Sequence, residues 1–398
     1  MRQGEKKLSN EQATIEQLQP EKNKRKLSFK FDIQSYTLIL ALISIAVIFT
    51  ILTNGEFLSS RNISNLFTQM SVIAILAIGM TLVIVAGHID LSVGSIVGLT
   101  GGIAAMLQVW HGWSTPIVVL IAIACGALLG LWQGWWIAYR AVPAFIATLG
   151  GMLIFRGILI GISKGTTVAG LDKSFKQIGN SYLPFIIGYV LVAIAIVFIV
   201  YSTISNRKKR GGMGLLVVPA SIDYGKAVLY SVIIFIVTFM LNRYLGVPTP
   251  FLIVVFMALI FVFITNKTAF GRRIYAMGGN AEAAALSGIN IKRNTLGVFV
   301  IMGALAGVAG VLLTARLNAG TVAAGDGYEL DAIAACVIGG TSLVGGKGRI
   351  LGALIGALIM ASIDNGMSMM NIGAYWQYIV KGLILILAVW VDVIDKNK

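Results

Sequence analysis

The side chains that could carry out chemistry are scarce in this sequence. The chain has only two histidines, His88 and His111, and two cysteines, Cys125 and Cys336. It therefore offers neither a clustered zinc site nor an HExxH motif, and it contains no GxSxG turn of the serine hydrolases. We expect no catalytic residue, no bound metal and no cofactor, and we predict that the chain is not an enzyme.

A nucleotide-binding loop is also missing from the sequence. The nearest match is Gly-Gly-Lys-Gly at residues 345–348. A Walker motif needs Ser or Thr after the lysine and a glycine five residues before the Gly-Lys pair. This chain has Gly348 and Thr341 at those places, so it lacks the residues to hold ATP in that way.

The island of residues 265–295 is a polar stretch between two long apolar segments. It holds five basic side chains and the string from Glu282 to Gly288, which predicts a short Ala-rich helix that Gly288 ends. Arg272 and Arg273 precede this helix. Such a surface suits the docking of a cytoplasmic ATPase, and the alternative is an amphipathic connector that lies on lipid.

Long apolar segments must position these residues. The chain is 57% hydrophobic and 12% charged, whereas ordinary globular domains contain about 25% charged residues. A helix that crosses hydrocarbon needs about 20 mainly apolar residues, since its backbone must satisfy its own hydrogen bonds. We predict an all-α polytopic membrane protein with about 10–12 transmembrane helices. The predicted spans are residues 35–53, 67–87, 91–109, 116–138, 142–162, 183–201, 226–241, 250–264, 295–314, 329–343, 350–364 and 375–393.

The tenth of these spans is short and rich in small residues, which leaves open whether it is broken or re-entrant. The first 34 residues are polar and basic, without an apolar core followed by a cleavage site. They predict a disordered cytoplasmic tail before an uncleaved anchor, with the transmembrane domain over residues 35–395. Cys125 and Cys336 fall inside spans, so we expect buried thiols and no disulfide.

Positive charge is distributed unevenly between the predicted loops. With both termini in the cytoplasm, the inner segments carry 23 of the 31 Lys and Arg residues, the outer segments carry 6, and two lie within spans. This bias predicts cytoplasmic termini. It also explains the net charge of +15 by topology and by attraction to anionic lipid, so nucleic-acid binding is not required.

Many of the 46 glycines recur four residues apart. Such ridges let helix backbones approach closely in a membrane, and we interpret them mainly as packing surfaces. The alternative is that some leave room for a solute along a path. The ridges are Gly94, Gly98 and Gly102; Gly126, Gly130 and Gly134; Gly157 and Gly161; Gly303 and Gly307; and Gly352 and Gly356.

Polar residues at membrane depth are candidates for a solute path. Arg156 and Lys381 lie about six residues, or roughly 9 Å, from the outer ends of their spans, so each could snorkel outward or face a path. Glu329 and Asp331 open the tenth span, and Asp364 closes the eleventh, where they could cap helices or line an outer mouth. No carboxylate falls in the middle of a predicted span, which disfavours a proton-coupled carrier.

The sequence resembles the permease subunits of bacterial ABC importers for monosaccharides, the branch that includes ribose, galactose and xylose permeases. The resemblance covers residues 40–393. Xylose-type permeases are the most similar, on less general features that include the extra pair of spans around residues 183–241. The shared motifs are residues 86–95, 270–276, 279–280, 286–290 and 329–343, and the xylose-type features are residues 132–136, 155–159, 246–250, the Met-rich stretch 364–370 and 376–382.

The resemblance implies an ABC importer permease fold that works by alternating access in the bacterial cell membrane. It implies a homodimer with an ATP-binding ABC subunit inside and an extracytoplasmic sugar-binding protein outside, where residues 163–182 could dock or simply connect two spans. D-Xylose is the implied sugar; a ribose or galactose permease, a secondary sugar carrier or passive channel, and a scaffold without transport are the alternatives.

Two sets of residues follow from these arguments. The family's coupling signature maps onto Glu282, Ala283, Ala284 and Gly288, beside Arg272 and Arg273, although the later Ile-x-Leu-Pro element of other importers is missing. The expected translocation path residues are Asn365, Trp376, Gln377, Arg156, Glu329 and Asp331.

Overall fold

The computed structural model describes residues 33–214 and 219–396. The described residues from Thr37 onward belong to one compact unit, which contains every helix from α2 to α15. The helices are α1 (Ile33–Leu52), α2 (Ser60–Val85), α3 (Val93–His111), α4 (Thr115–Arg140), α5 (Ala144–Ser163), α6 (Lys173–Asn180), α7 (Phe185–Gly212), α8 (Ala220–Asn242), α9 (Thr249–Lys267), α10 (Ala269–Gly279), α11 (Ala281–Leu286), α12 (Ile291–Leu317), α13 (Tyr328–Ile338), α14 (Ile350–Met369) and α15 (Ala374–Lys396).

Within the described ranges, nine helices are long and apolar enough to cross a membrane: α2 to α5, α7 to α9, α12 and α14. Shorter apolar stretches occupy Thr37–Leu52 in α1 and Ala374–Trp390 in α15. The prediction of an all-α polytopic protein is thus confirmed. The predicted tail of residues 1–34 lies almost wholly outside the described residues and stays a prediction.

The predicted tenth span contains only one short helix, α13. Its 11 residues extend about 16 Å at 1.5 Å per residue, whereas the hydrocarbon core is about 30 Å thick. Thr341 to Ser342 and the glycines that follow belong to a loop that leads into α14. This segment therefore does not cross the membrane as a single helix.

Helix α2 is the centre of the bundle. In its most apolar stretch, 89% of the residues are buried inside the protein, whereas in the corresponding stretch of α7 only 11% are buried. Both stretches are apolar all round. The buried run from Val72 to Val85 belongs to the main core and packs against α9, α12, α13 and α14. Helix α7 packs mainly against α8, so most of its surface faces the surroundings.

Glycines bring α4 and α12 into close contact. A methyl group at Gly303 would meet the carbonyl oxygen of Gly126 and would lie 2.9 Å from the nitrogen of Gly130. The packing interpretation is confirmed for these two ridges. At Gly157 and Gly161 in α5, a methyl group would meet no atom of another element within 4 Å among the described residues, so this ridge does not pack against the part of the chain that the structure describes.

The glycine ridge of α3 packs partly against a non-helical segment and partly against Leu159 of α5. Strands β1 (Val168–Ala169) and β2 (Ala319–Gly320) pair in antiparallel fashion, and the chain then continues along α3 to the start of α13. A methyl group at Gly98 would lie 2.6 Å from the carbonyl oxygen of Ala324. The ridge therefore leaves room for residues 319–327, a short strand followed by turns, which we call the re-entrant segment.

A pair of glycine substitutions tests the α4–α12 contact. Gly303→Ala should lower the free energy of unfolding by about 1–3 kcal/mol through overpacking, which outweighs the gain in helix propensity of about 1 kcal/mol. Gly161→Ala should leave it unchanged or raise it, since its surroundings are open. Thermal unfolding in detergent compares the two; equal stability of both variants would contradict so close an approach.

Candidate functional site

The re-entrant segment is held by Arg156. This side chain of α5 donates hydrogen bonds to the carbonyl oxygens of Val322 at 2.5 Å and Ala324 at 3.0 Å. Both carbonyls belong to non-helical backbone, which has no helical partner to satisfy it. The snorkelling interpretation of Arg156 is therefore wrong, because the guanidinium is directed at residues 319–327.

A charged triad joins α13, α14 and α15. The Nζ atom of Lys381 lies 2.9 Å from Oδ2 of Asp331 and 2.8 Å from Oδ2 of Asp364. The side chain of Asp331 is 1% exposed, whereas those of the other two are 21% exposed. Lys381 does not snorkel outward either, because it neutralises two carboxylates from neighbouring helices.

The triad also corrects the expected capping roles. Helix α14 continues for five residues after Asp364 and ends at Met369, so that carboxylate lies inside the helix. The residue before α13 is Gly327, and no side chain caps this helix. Asp331 accepts its hydrogen bond from Lys381 instead, so Asp331 and Asp364 are partners of a lysine and do not act as caps.

A cavity of about 170 Å³ opens beside the triad. Its polar lining includes the carboxylate of Asp331, the ammonium group of Lys381 and the amide of Gln377. Oδ1 of Asp331 and Oδ1 of Asp364 are buried and have no hydrogen-bond partner among the described residues. These oxygens can accept hydrogen bonds from hydroxyl groups. The lining includes Asp326, Leu330, Asp331, Gln377, Tyr378 and Lys381.

Only some of the expected path residues meet at this cavity. Asp331 and Gln377 line it. Glu329 lies on the other side of the segment, against Gly94 of α3. Trp376 is 49% exposed, outside the cavity lining. Asn365 is buried and accepts a hydrogen bond of 2.8 Å from Asn62 of α2, so it joins two helices and does not face the cavity.

Sequence reasoning missed several polar contacts. It left the roles of Lys381 and Asp364 open, did not predict that they pair with each other or with Asp331, and gave no role to Asn62. A lone lysine in an apolar helix, with an acid in each neighbouring span, is a signal that could have suggested the triad. The amide of Asn62 carries no comparable signal, because its partner is 303 residues away in the chain.

A second non-helical stretch, the turn at residues 86–92, enters α3 inside the bundle. Asp90 is buried and accepts hydrogen bonds from the backbone nitrogen of Ser92 at 2.9 Å and from its hydroxyl at 2.6 Å. The Ser92 hydroxyl also lies 3.1 Å from Oε1 of Gln133 in α4. The turn is thus tied to α4 through side chains.

Three capping residues shape the island. The side chains of Thr268, Asn280 and Asn290 accept hydrogen bonds from backbone N–H groups at the starts of α10, α11 and α12, respectively. Residues of these types are the usual N-caps, because their oxygens satisfy N–H groups that have no helical partner. The island therefore breaks into two short helices at positions that the sequence itself specifies.

The residues predicted to couple to an ATPase lie on α11 and the residues that flank it, which we call the coupling surface. Glu282 and Ala283 are exposed, whereas Ala284 is buried. Gly288 has φ of +82°, a left-handed conformation that favours glycine, and its N–H donates to the carbonyl of Ala285. The prediction of a short helix that ends at Gly288 is close, since α11 ends two residues earlier.

Arginines stand beside this surface. Arg272 and Arg273 of α10 are exposed, and Arg273 lines a groove of about 470 Å³ together with Phe270, Gly288 and Arg293. The groove is thus flanked by two guanidinium groups, each able to form bidentate hydrogen bonds with a carboxylate. An acidic partner surface would complement it.

Helix α10 is pressed against the end of α2 and the loop before α14. A methyl group at Gly278 would meet the carbonyl oxygen of Val85 and would lie 2.7 Å from the nitrogen of Gly346. Gly346 donates its N–H to Val85. The hydroxyl of Tyr275 donates to the carbonyl of Gly348 at 2.7 Å, and burial raises the pKa of Tyr275, although Arg349 opposes this.

Helices α2 and α14 are in turn in close contact with α13 and the residue that follows it. Cys336 of α13 lies 3.3 Å from the carbonyl oxygen of Ala77 and 3.4 Å from the hydroxyl of Thr81, both in α2. A methyl group at Gly352 of α14 would meet the carbonyl oxygen of Gly339, which follows α13. Closely packed backbone therefore leads from α10 through α2 and α14 to the helix that carries Asp331.

The known proteins that this chain resembles are permeases of transport systems. The family model described as "Branched-chain amino acid transport system / permease component" matches residues 62–389. The chain is 50% identical to the xylose transport system permease protein XylH of Escherichia coli (strain K12), over 92% of this chain and 93% of the relative. The identity to XylH of Haemophilus influenzae is 48%, over 92% and 98%.

A ribose permease is more distant. The ribose import permease protein RbsC of Escherichia coli (strain K12) is 38% identical, over 89% of this chain and 92% of the relative. No solved structure was found to match the chain.

The triad makes a testable contribution to stability. Lys381→Met should lower the free energy of unfolding by about 3 kcal/mol, because it leaves a buried carboxylate without a counter-ion. The triple variant Lys381→Met, Asp331→Asn, Asp364→Asn should regain part of that loss, since no unpaired charge remains. Lys173→Met, at an exposed lysine of α6, is the control. The stabilities are compared by thermal unfolding, and a triple variant less stable than Lys381→Met would contradict the role of the triad.

Proposed function

The chain belongs to the branched-chain amino acid transport system / permease component family, and we propose that it is the membrane-spanning subunit of an ATP-driven importer for D-xylose. An ATP-binding subunit in the cytoplasm supplies the energy, and an extracytoplasmic binding protein delivers the sugar. Two copies of the chain frame one path across the bacterial cell membrane, with all termini in the cytoplasm.

The observation that carries this proposal is the identity of 48–50% to two xylose permeases over more than nine-tenths of all chains. The sequence agrees with it, since no phosphate-binding loop is present, and energy from ATP must therefore come from a different chain. The ribose importer is the second candidate, supported by the 38% identity to RbsC.

The coupling surface is where we expect the ATPase to dock. In the proposed orientation, α10 and α11 face the cytoplasm, where Glu282 and Ala283 are accessible and Arg272 and Arg273 flank the contact. Ala284 is buried and anchors α11 to the rest of the protein. Closure of the ATPase would then move α10 and α11 as one unit.

This movement has a physical route to the path. Because Gly278 leaves no space between α10 and the backbone at Val85 and Gly346, a displacement of α10 must move the end of α2 or the loop before α14. Both elements contact α13. Packed cores respond by switching between discrete arrangements. We therefore expect the cavity beside Asp331 to open alternately to the outside and to the cytoplasm.

We expect the sugar to contact the cavity beside the triad. A monosaccharide exposes hydroxyl groups, and among the side chains that line the cavity the carboxylate of Asp331 can accept hydrogen bonds, whereas Gln377 can donate and accept. Asn365 is better assigned to helix packing through Asn62. Binding must be weak, because an importer has to release its solute and only a difference in affinity between states shifts their equilibrium.

Reconstitution tests the function directly. The chain is placed in proteoliposomes with its ATP-binding subunit and binding protein, and uptake of radiolabelled xylose is measured with and without ATP. We expect uptake only when all components and ATP are present, with excess unlabelled ribose competing poorly. Transport of xylose by the chain alone would contradict the importer, and stronger competition by ribose would favour the ribose candidate.

Substitutions on α11 test the coupling surface. Glu282→Lys reverses a charge at the docking face, and Gly288→Pro forbids the left-handed conformation and removes the N–H bond to Ala285. A loss of about 1.4 kcal/mol in docking free energy weakens ATPase binding tenfold, so ATP-dependent uptake should fall at least that far while membrane insertion stays normal.

The matched control is Glu56→Lys, which reverses an exposed acid between α1 and α2, far along the chain from the island. Its uptake should equal that of the wild type. Normal uptake by both α11 variants would rule out the coupling role of this surface.

A further inference from the structure

The hairpin of α7 and α8 is joined loosely to the rest of the protein. The most apolar stretch of α7 is 11% buried and that of α8 is 17% buried. The two helices pack mainly against each other, and α8 also touches α2. At one end the hairpin is fixed, because Nδ2 of Asn242 donates to the carbonyl oxygen of Phe185 and Leu241 is buried.

Further along the hairpin, a groove lies between the two helices. The groove has a volume of about 400 Å³, and among the described residues only α7 and α8 line it. Its lining is apolar apart from the hydroxyls of Ser231 and Tyr224, and Ser231 donates its hydrogen to the carbonyl oxygen of Ala227. The groove is lined by Ile196, Val200, Tyr224, Ala227, Val228, Ser231, Val232 and Phe235.

A cluster of basic residues stands at the mouth of this groove. Arg207 pairs with Asp223 and lies over the ring of Tyr224, 5.5 Å from its centroid, so the pair closes the groove at the level where α7 leaves the apolar region. Lys208, Lys209 and Arg210 follow on α7, and all three are exposed.

Lys226 of α8 adds a further exposed ammonium group directly beside Ala227 of the groove wall. The only acidic residue between positions 200 and 230 is Asp223, which leaves a surplus of four positive charges around the mouth. An apolar slot that ends at a concentrated positive charge matches one kind of molecule in particular: an amphiphile with an apolar tail and an anionic head.

We propose that the groove between α7 and α8 is a binding site for an anionic phospholipid. One acyl chain fills the apolar slot, and the phosphate lies among Lys208, Lys209, Arg210 and Lys226. In a membrane the hydrocarbon tail gains contacts that lipid packing at a flat helix surface does not provide, and each basic residue near the surface attracts an anionic headgroup. The lipid thereby acts as a wedge that fixes the spacing of a hairpin with few contacts of its own.

Native mass spectrometry of the purified full-length chain tests this site. The probes are phosphatidylglycerol and phosphatidylcholine with identical acyl chains, added to delipidated protein in detergent. The wild type should retain phosphatidylglycerol preferentially. The variant Lys208→Gln, Lys209→Gln, Arg210→Gln should lose at least about tenfold in phosphatidylglycerol retention, because each of the three charges contributes to attraction of the head.

Two further variants separate the tail from the charge. Ser231→Phe fills the groove and should reduce retention of phosphatidylglycerol without any change in charge, whereas Val190→Phe, an exposed position on α7 that does not line the groove, should not. Circular dichroism and thermal unfolding establish that each variant is folded.

The control for charge is Lys164→Gln, Lys173→Gln, Lys176→Gln, which removes three positive charges near β1 and α6. Equal retention of the two lipids by the wild type would overturn the proposal, and so would an equal loss in this control variant, since the attraction would then depend only on net charge.

Discussion

Every backbone N–H and carbonyl group at membrane depth must have a hydrogen-bond partner within the protein, and the architecture follows from this requirement. Helices meet it by themselves. The two irregular stretches inside the bundle meet it through side chains: Arg156 donates to the carbonyls of Val322 and Ala324, and Asp90 accepts from the N–H of Ser92. At these two places, buried polar side chains satisfy backbone that has left the helical conformation.

Glycine makes these irregular stretches sterically possible. The re-entrant segment fits against α3 because Gly94 and Gly98 have no side chains, and the same absence of side chains brings α10 against Val85 through Gly278. Such close backbone contacts make the joined elements stiff, because tightly packed interiors transmit displacement instead of absorbing it. A protein that transfers movement from a surface helix to a buried cavity benefits from such stiffness.

Charge is used differently in the two functional regions. At the island, exposed arginines and Glu282 remain hydrated and available to a partner. Beside α13, Lys381 compensates Asp331 and Asp364, so two carboxylates can be kept in a largely buried setting. The triad also joins three helices, which makes solute contacts and helix arrangement interdependent.

Some features were predictable because they are local. Helix caps such as Thr268 and Asn280 depend on residues three positions away, and the left-handed Gly288 ends a short helix that its neighbours define. The partners of Arg156 and Lys381 were not predictable in this way. Both were expected to snorkel as readily as to face a path, and the choice depends on carbonyls and carboxylates that lie up to 168 positions away in the chain.

The sequence by itself determined the class of the protein, the positions of most membrane helices and the polar island, because hydropathy and capping act over one or two turns. Only the tertiary structure decided that α2 is central while α7 is peripheral, that Gly303 packs tightly while Gly161 does not, and that α13 stops short of crossing. Apolar helices look alike in composition whether lipid or protein surrounds them, and only the packed neighbours distinguish the two.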